Sequence, residues 1–351
     1  MENSIQKGVR SLDLYTLFSF LYKSYLKARK NKRYTYNQLK FEVNLESNLL
    51  KLARELLNRT YKPSTSICFI IKKPIKREVI AADFRDRVVH HLLCSWLFPI
   101  FEKQFIYDSY SCRKNKGTLF GINRIRKFVK SCSNSYTKNC WVLKLDIKGF
   151  FMHIDKNILY DLIMKGLNKA NYENIPDIEL CNFLIRQIVF ANTLDSAIFR
   201  SPRSDWKDLP KDKSLIGISS DKGLPIGNLT SQLFANIYLN PLDHFIKRFL
   251  KIRYYGRYVD DMILIHESKF SLFYSIDKIK NFLITLKLKL HPNKIQLQQF
   301  FKGFKFLSAW ILSNRVFPTL RIRNNFNNIL SYSQSNCNYY FGIFKFMNGI
   351  I

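Results

Sequence analysis

The sequence feature that most constrains this chain is the tetrapeptide Tyr-Val-Asp-Asp at residues 258–261. It stands between two short runs of apolar and aromatic residues, 252–257 and 262–266, and this pattern predicts two strands joined by a tight turn. Two adjacent carboxylates in that position resist desolvation and repel each other. An isolated Asp pair is typical of a solvated acidic turn, whereas a pair held between apolar strands favours a hard divalent cation such as Mg²⁺, which takes oxygen ligands.

A further carboxylate follows another strand-like run. Residues 141–145 are mostly apolar and lead directly into Asp146, and Gly149 then permits a turn into a following helix. Catalysis by two metal ions requires carboxylates from separate elements that hold the ions about 3.5–4 Å apart. Asp146, Asp260 and Asp261 meet this requirement if their strands are neighbours in one sheet, a placement that the sequence by itself does not determine.

The charge balance predicts a polyanionic partner. The 351 residues include 57 Lys and Arg against 26 Asp and Glu, a formal net charge of +31, which suits salt-dependent contacts with phosphates. Hydrophobic residues make up 47% and aromatic residues 15%, so the chain is expected to fold rather than to form a disordered basic tail. No apolar run reaches the length of a membrane span and the polar start of the sequence is unlike a signal peptide, so we expect no membrane association. Seven cysteines without a C-x-x-C pair argue against a zinc site or a disulfide framework and lead us to expect a reducing, cytoplasmic location.

Residues 66–80 predict a strand, a basic turn and a returning strand. Lys73 and Arg77 lie in this segment, and cations at a hairpin tip can bind a triphosphate, because an Arg fork matches phosphate oxygens in pairs. The alternative is a basic surface hairpin without a ligand. A helix is predicted to open next; its adjacent His90 and His91 diverge by about 100° around a helix and are assigned to helix packing rather than to a metal.

Taken together, these features resemble the reverse transcriptases. Tyr-x-Asp-Asp on a hairpin is similar to the palm motif of that family, and other segments resemble its motifs in the same order along the chain. These segments are residues 82–91 (first motif block), 107–118 (second block, near the template), 141–151 (the Asp146 strand), 223–236 (a Gly-Pro turn and a helix), 286–294 (fourth palm motif) and 301–307 (primer grip). The resemblance covers roughly residues 66–310 and implies an α+β right-hand polymerase with fingers, palm and short thumb, whose antiparallel palm sheet carries the Tyr-Val-Asp-Asp hairpin.

The resemblance also implies how the chain is divided. We expect an N-terminal helical region at 1–62, fingers at 63–135, a palm with interleaved fingers segments at 136–300, and the primer grip with a short thumb or C-terminal region at 301–351.

The family pattern implies roles for individual residues. It makes Asp146 and Asp260 direct ligands of two Mg²⁺ ions, with Mn²⁺ as an alternative ion, and it places Asp261 in support of catalysis and Ile147 in the same metal site. The nucleotide-binding residues that it implies are Lys73, Arg77, Phe151, Ile226, Gly227 and Lys294. The residues that it implies at the primer and template are Arg113, Lys116, Gly117, Gly303 and Phe304.

Two of these residues bear on which nucleotide is chosen. Phe151 lies five residues after Asp146, where the resemblance to reverse transcriptases implies an aromatic ring under the sugar of the incoming nucleotide. A bulky ring there would clash with the 2′-hydroxyl that distinguishes a ribonucleotide, so deoxynucleotides are the expected substrates. Ile226 stands where many related enzymes carry Gln, and it offers only shape and apolar contact. The alternative for both side chains is packing in the core.

We interpret the chain as an RNA-directed DNA polymerase that copies a dedicated noncoding RNA, with that RNA, the DNA product and deoxynucleoside triphosphates as its partners. Ile226-Gly227 with Ser231-Gln232 resembles diversity-generating retroelement enzymes and domesticated bacterial enzymes, and we favour a bacterial antiphage defence role. The alternatives are the mutagenic reverse transcriptase of a diversity-generating retroelement, working with an accessory protein, and a catalytically silent RNA-binding scaffold. The basic, aromatic C-terminal segment fits a short thumb or the surface of a homo-oligomer. The polar segment 192–222 is predicted to be a connecting loop, in which Trp206 beside Arg203 can stack on a base.

Overall fold

The structure is a computed structural model that describes residues 12–30, 34–73, 75–195, 197–313 and 315–329. The helices, in chain order, are α1 (Leu14–Arg29), α2 (Tyr36–Val43), α3 (Leu45–Leu57), α4 (Phe84–Glu102), α5 (Thr118–Cys132), α6 (Phe150–His153), α7 (Lys156–Lys169), α8 (Ile178–Val189), α9 (Leu229–His244), α10 (Lys269–Thr285) and α11 (Leu320–Ile329). The strands are β1 (Ile67–Ile71), β2 (Arg77–Ala81), β3 (Trp141–Leu145), β4 (Ile198–Phe199), β5 (Tyr254–Tyr258), β6 (Asp261–His266), β7 (Gln296–Gln299), β8 (Phe304–Phe306), β9 (Ala309–Ile311) and β10 (Val316–Pro318).

The chain forms two compact units, each built from two separate stretches. The first unit takes its described residues from 1–105 and 149–238, and the second unit from 106–148 and 239–351. The division into an N-terminal region, fingers, palm and thumb stays a prediction.

The helical part of the first unit is held together by an apolar face on α1. Leu17 and Leu21 of α1 are fully buried, and α1 packs against α4 and α3. Asp83 begins α4 as its N-cap, accepting a hydrogen bond of 3.1 Å from the amide of Arg85. Such a cap satisfies one of the amides that a helix start leaves without a partner. His90 is buried in α4, as the packing assignment requires.

The sheet of the first unit has the strand order β2-β1-β4. β1 and β2 form the predicted antiparallel hairpin, with Ile67 opposite Ala81 and Ile71 opposite Arg77. The loop 192–222 supplies β4, which pairs parallel to β1. This segment is therefore part of the sheet and more than the connector that its polar composition predicts.

The second unit is built on a four-stranded antiparallel sheet with the order β5-β6-β3-β7. Helices α5 and α10 pack on this sheet, and β8, β9 and β10 form a separate three-stranded antiparallel sheet. One apolar core runs from α5 through β3 and β6 to β8 and β9; it includes Ile125, Val142, Ile263 and Phe306. The predicted α+β class is confirmed, as is the antiparallel sheet that carries the Tyr-Val-Asp-Asp hairpin. Among the helices of the described ranges, none is both long and apolar enough to cross a membrane.

Candidate active site

Two of the predicted catalytic aspartates lie at the same end of the second unit's larger sheet. β3 pairs antiparallel with β6, and the register places Leu145 opposite Met262. Asp146 follows Leu145 and Asp261 precedes Met262, so the two aspartates continue the same pairing just beyond it. The neighbouring strands that the sequence argument requires are therefore present.

The turn between β5 and β6 presents the third aspartate. Tyr258 pairs with Asp261, which leaves Val259 and Asp260 as the two turn residues. Val259 has a φ of +55°, in the left-handed region that a β-branched residue rarely adopts. Strained positions of this kind cluster at active sites and persist only where the surrounding structure holds them.

Two lysines lie against these carboxylates. The ammonium group of Lys294 donates a hydrogen bond of 2.8 Å to Oδ2 of Asp146, and Nζ of Lys144 lies 3.9 Å from Oδ1 of Asp261. Lys144 lies in β3, two residues before Asp146, which directly follows the strand. Lys294 is thus within reach of the carboxylates, as a residue that binds the triphosphate or protonates the leaving group must be.

The electrostatics of the cluster favour a cation. Burial, followed by the charges of Asp146 and Asp261, raises the pKa of Asp260 to about 7. Burial also raises the pKa of Asp261, an effect that Lys144 partly offsets. Burial works against the charge of Lys294, but its hydrogen bond to Asp146 and the charges of the three aspartates together outweigh burial and raise the pKa of that ammonium group. Buried carboxylates whose charges repel each other are stabilised in their ionised form by a bound divalent ion.

Ile147 is fixed beside the carboxylates by backbone pairing. It forms an antiparallel bridge with Leu290. In this bridge the amide of His291 donates to the carbonyl of Asp146 at 2.8 Å, and the amide of Lys148 donates to the carbonyl of Lys289 at 2.9 Å. The Ile147 side chain is buried and apolar. Its carbonyl oxygen is therefore the only group through which this residue can bind a metal.

The donor set fits Mg²⁺ bound together with a substrate. In the parts of the chain that the structure describes, no three His, Cys, Asp or Glu side chains are close enough to form a complete metal cage. Mg²⁺ in phosphate-handling sites is commonly held by one or two carboxylates, waters and substrate phosphates instead of an all-protein cage. Asp146 and Asp260 with the Ile147 carbonyl match that donor set, so these residues would hold the ion.

The raised pKa of Asp260 predicts a pH-dependent stability. Between about pH 4 and pH 7 the folded protein keeps a proton that the unfolded chain has lost, so the free energy of unfolding falls as pH rises through this range. Asp260→Asn removes the ionisation, and we expect it to stabilise the metal-free protein by about 0.5–2 kcal/mol at pH 8, with a smaller gain at about pH 5. Thermal unfolding in a chelating buffer measures this, with the exposed Asp277→Asn as the control. A variant that unfolds at or below the wild-type temperature at pH 8 contradicts the prediction.

In the first unit, two predicted nucleotide-binding residues lie on one apolar cluster. Phe151 and Ile226 are half-buried and pack against a core that includes Cys68, Ile80 and Met152. Both alternatives considered from the sequence thus have a physical basis, because each side chain contacts the core and keeps an exposed part. Their roles toward a nucleotide stay predictions.

Gly227 and the β1–β2 hairpin lie next to each other. The amide of Ile80 donates to the carbonyl of Ile226 at 2.9 Å. Gly227 has a φ of +126°, and a Cβ there would lie 2.9 Å from Cγ1 of Val79, so the glycine is required by the chain's own packing. Lys73 and Arg77 are exposed on the same hairpin, where a triphosphate can reach them.

The residues predicted at the template are used within the second unit itself. Arg113 is buried, and its guanidinium donates to the carbonyls of Ile106 and Ser109 at 2.6 and 2.8 Å. The ammonium of Lys116 lies 4.2 Å from the ring centre of Tyr107 and donates to that residue's carbonyl. Gly117 has a φ of +126° and directly precedes α5. These contacts build the turn before α5, and the assignment to the template gains no support from them.

The primer-grip hairpin is formed by β8 and β9. Phe304 and Phe306 are buried while Lys305 between them is exposed, as the alternation in the sequence predicts. Gly303 has a φ of +69°, and a Cβ there would lie 2.5 Å from a methyl group of Leu312. Gly303 and Phe304 are therefore required by the hairpin, and contact with a primer stays a prediction for both.

Sequence reasoning missed three residues around the carboxylates. The sequence pattern predicts Lys144 only as part of a strand, although its position two residues before Asp146 is a signal. Arg257 and Asp243 were not singled out, yet they form an ion pair with no exposed surface at 2.7 Å. The sequence signal for this ion pair is an arginine inside an otherwise apolar strand, directly before the tetrapeptide.

The fold defines the class of protein first. A solved structure of apo telomerase from Candida tropicalis, truncated from its C-terminal domain, matches with a TM-score of 0.52 at 16% identity, over 72% of this chain and 55% of that chain. At this identity the likeness shows the fold alone, which is that of the right-hand polymerases.

The sequence then identifies the family. The chain belongs to the reverse transcriptase (RNA-dependent DNA polymerase) family, whose sequence pattern matches residues 71–311. Protein YkfC of Escherichia coli K12 is 22% identical over 314 residues, covering 80% of this chain and 75% of that protein. Nuclear intron maturase 1, mitochondrial, of Arabidopsis thaliana is 21% identical over 315 residues, covering 71% of this chain. The chain spans only 43% of the maturase and 55% of the telomerase chain.

Proposed function

We propose that this protein synthesises DNA on an RNA template with the help of two Mg²⁺ ions. The observation that carries the proposal is the pairing of β3 with β6, which brings Asp146 and Asp261 to the same sheet end as the Asp260 turn. Family membership supports it further. A catalytically silent scaffold would have no need of three neighbouring carboxylates, one of which, Asp260, has its pKa raised by burial and by the charges of the other two.

Each residue at the sheet end has a proposed task. Asp146 and Asp260 would bind the ions, with the Ile147 carbonyl beside them. Bound Mg²⁺ would lower the pKa of the primer 3′-hydroxyl and neutralise the triphosphate. Asp261 supports the charge balance of the cluster through Lys144. Lys294, whose ammonium group donates to Asp146, would donate to a phosphate oxygen of the nucleotide or give a proton to the leaving pyrophosphate.

The polymerase proposal is tested with the wild-type protein. Purified protein is given an RNA template with an annealed primer, the four deoxynucleoside triphosphates and Mg²⁺. Extension of the primer that depends on both template and Mg²⁺ supports the proposal. Absence of extension with Mg²⁺ and with Mn²⁺, on RNA and DNA templates and with the protein's own bound RNA, overturns it.

Sugar selection is assigned to Phe151. We expect Phe151→Ala to reduce discrimination against ribonucleotides by about tenfold to a hundredfold, because the loss of one steric contact is worth about 1–3 kcal/mol. Incorporation of matched ribo- and deoxynucleotides in single-turnover assays measures this ratio. Phe190→Ala is the matched control, since Phe190 is an exposed ring of the same unit outside the proposed site. Unchanged discrimination in a still-active Phe151→Ala protein would assign the ring to the core.

The proposed template is one dedicated noncoding RNA, and the proposed biological role is bacterial antiphage defence. The charge of +31 supports an RNA partner, and the role rests on the resemblance of residues 223–236 to domesticated bacterial enzymes. We also propose the four-part division at residues 62, 135 and 300 as the boundaries of fingers, palm and thumb. Sequencing of the RNA that stays bound through stringent washing tests the template: a single species supports it, and a random population counts against it.

A further inference from the structure

The arginine directly before the Tyr-Val-Asp-Asp tetrapeptide is completely buried. Arg257 of β5 has no exposed surface and has the largest fully buried side chain among the described residues. Its backbone is fixed as well, because its amide donates to the carbonyl of Asp108 and its carbonyl accepts from the amide of Tyr110, both at 2.9 Å. These two hydrogen bonds fix the position of the Arg257 backbone relative to residues 108–110.

The guanidinium is oriented by one carboxylate. Nε and Nη2 of Arg257 donate to the two oxygens of Asp243 in α9, at 2.8 and 2.7 Å. Asp243 has no exposed surface and also accepts a hydrogen bond of 2.7 Å from the hydroxyl of Tyr255. A buried ion pair is weak evidence for stability, since well-packed apolar residues often replace such a pair at no cost. Its geometry is therefore the more informative property.

The remaining arm of the guanidinium reaches the catalytic turn. Nη1 of Arg257 donates a hydrogen bond of 2.8 Å to the carbonyl of Val259. This carbonyl belongs to the peptide group that joins Val259 to Asp260. Because Val259 holds a φ of +55° against its β-branched preference, the turn needs an external contact to keep that conformation.

We propose that Arg257, oriented by Asp243, is a positioning residue that holds the strained peptide before Asp260 and so fixes the direction of that carboxylate. The inference rests on the proposed polymerase function only for its catalytic consequence. The fork is the essential feature, because a lysine keeps the charge but cannot span both oxygens of Asp243 and the Val259 carbonyl.

The activity test uses a double-mutant cycle. We expect Arg257→Lys to lower kcat on the order of 10²-fold through misplacement of a catalytic group, with the KM for nucleotide and the affinity for primer-template changed less than about threefold. Val259→Gly alone should lower kcat modestly. Glycine adopts a positive φ without strain, so the double variant should recover at least about tenfold relative to Arg257→Lys. Losses that add in the double variant, or a loss that appears only in the affinity for primer-template, overturn the positioning role.

A second readout does not depend on activity. Hydrogen–deuterium exchange of peptides that cover residues 254–266 should be faster in Arg257→Lys than in wild type, and slower again in Arg257→Lys/Val259→Gly. The control is Arg59→Lys, which alters another Arg–Asp pair, with Nη2 of Arg59 at 3.0 Å from Asp177, in the first unit. Unchanged exchange at 254–266 in Arg257→Lys overturns the inference. If exchange is faster in Arg257→Lys but the wild-type protein makes no DNA, the polymerase proposal is rejected. The inference that Arg257 holds the turn is then retained.

Discussion

Replacing Asp146 or Asp260 by Ala is expected to reduce nucleotide incorporation by at least about 10³-fold, the scale on which charge stabilisation at a reacting centre is lost. Both carboxylates belong to the proposed metal site, and each substitution removes one of the two side chains assigned to bind the ions. Asp261→Ala should have a smaller effect, since Asp261 is paired with Lys144 and its proposed role is supportive. Single-nucleotide extension on an RNA template, followed over a range of Mg²⁺ concentrations, measures all three variants.

The control for this series is Asp277→Ala, which removes an exposed carboxylate from α10 in the same unit. RNA affinity should be nearly unchanged in every variant, because the aspartates contribute no favourable contact to a phosphate backbone. Polymerisation that survives in Asp146→Ala or Asp260→Ala would reject the assignment of the metal site. A loss of RNA binding in the same variants would point to a folding defect, which thermal unfolding then identifies.

The elements that position the site follow from local sequence patterns. β3 and β6 are short apolar runs beside a turn, and such runs specify a strand without distant contacts. Asp155 accepts hydrogen bonds from the amides of Asn157 and Ile158 and so caps the start of α7. Capping and periodicity act within a few residues, so one sequence is enough to recognise them.

The contacts that tune the carboxylates are not local. Lys294 and Asp146 are 148 positions apart, yet they form a hydrogen bond. Arg257 meets Asp243 of another element, 14 residues earlier in the chain. No periodicity or spacing predicts such pairs, because they depend on how strands and helices pack after they form. The motif located the aspartates, and only the structure shows which cations hold them.

The loop 192–222 shows a second limit of sequence reasoning. The sequence predicts that Trp206 can stack on a base, but its indole N–H donates a hydrogen bond of 2.7 Å to Glu78 and its ring lies at a steep angle to that of Phe199. Glu78 is buried on β2 and also accepts a hydrogen bond of 2.7 Å from the amide of Leu215. A polar loop therefore closes over a buried carboxylate, a tertiary arrangement that composition does not reveal. The C-terminal aromatic residues, Tyr339 to Phe346, for which a thumb or an oligomer surface was predicted, lie outside the described residues.

RNA affinity is expected to depend steeply on salt. A protein that contacts six to ten phosphates loses about 10³–10⁵ in affinity between 50 and 200 mM salt, because bound counterions are released from the nucleic acid. With 57 basic residues against 26 acidic ones, the chain has the charge for contacts on this scale. A plot of log affinity against log salt concentration for the RNA that co-purifies measures the slope. A flat plot would mean that phosphates contribute little and would remove the main argument for an RNA partner.

One groove of the second unit is a candidate site for these phosphate contacts. Lys127, Lys130 and Arg253 are exposed and line a cavity of ≈ 390 Å³ between α5 and the start of β5. The acidic side chain there, Asp108, is already paired with Arg124 at 2.7 Å, so the groove keeps a positive field. We expect replacement of the three exposed cations by Gln to lower the salt slope by about one for each phosphate contact removed.

The matched control is Lys280→Gln. Its ammonium group is paired with Asp277 at 3.0 Å on the surface of the same unit. The neighbouring carboxylate offsets the positive charge, so we expect this lysine to attract a phosphate less strongly. Extension of a short primer-template should be preserved in the triple variant, because the substituted residues are not among those assigned to the metal site. A triple variant with the wild-type slope would place the RNA on another face, whereas a reduced slope with intact extension would separate RNA anchoring from catalysis.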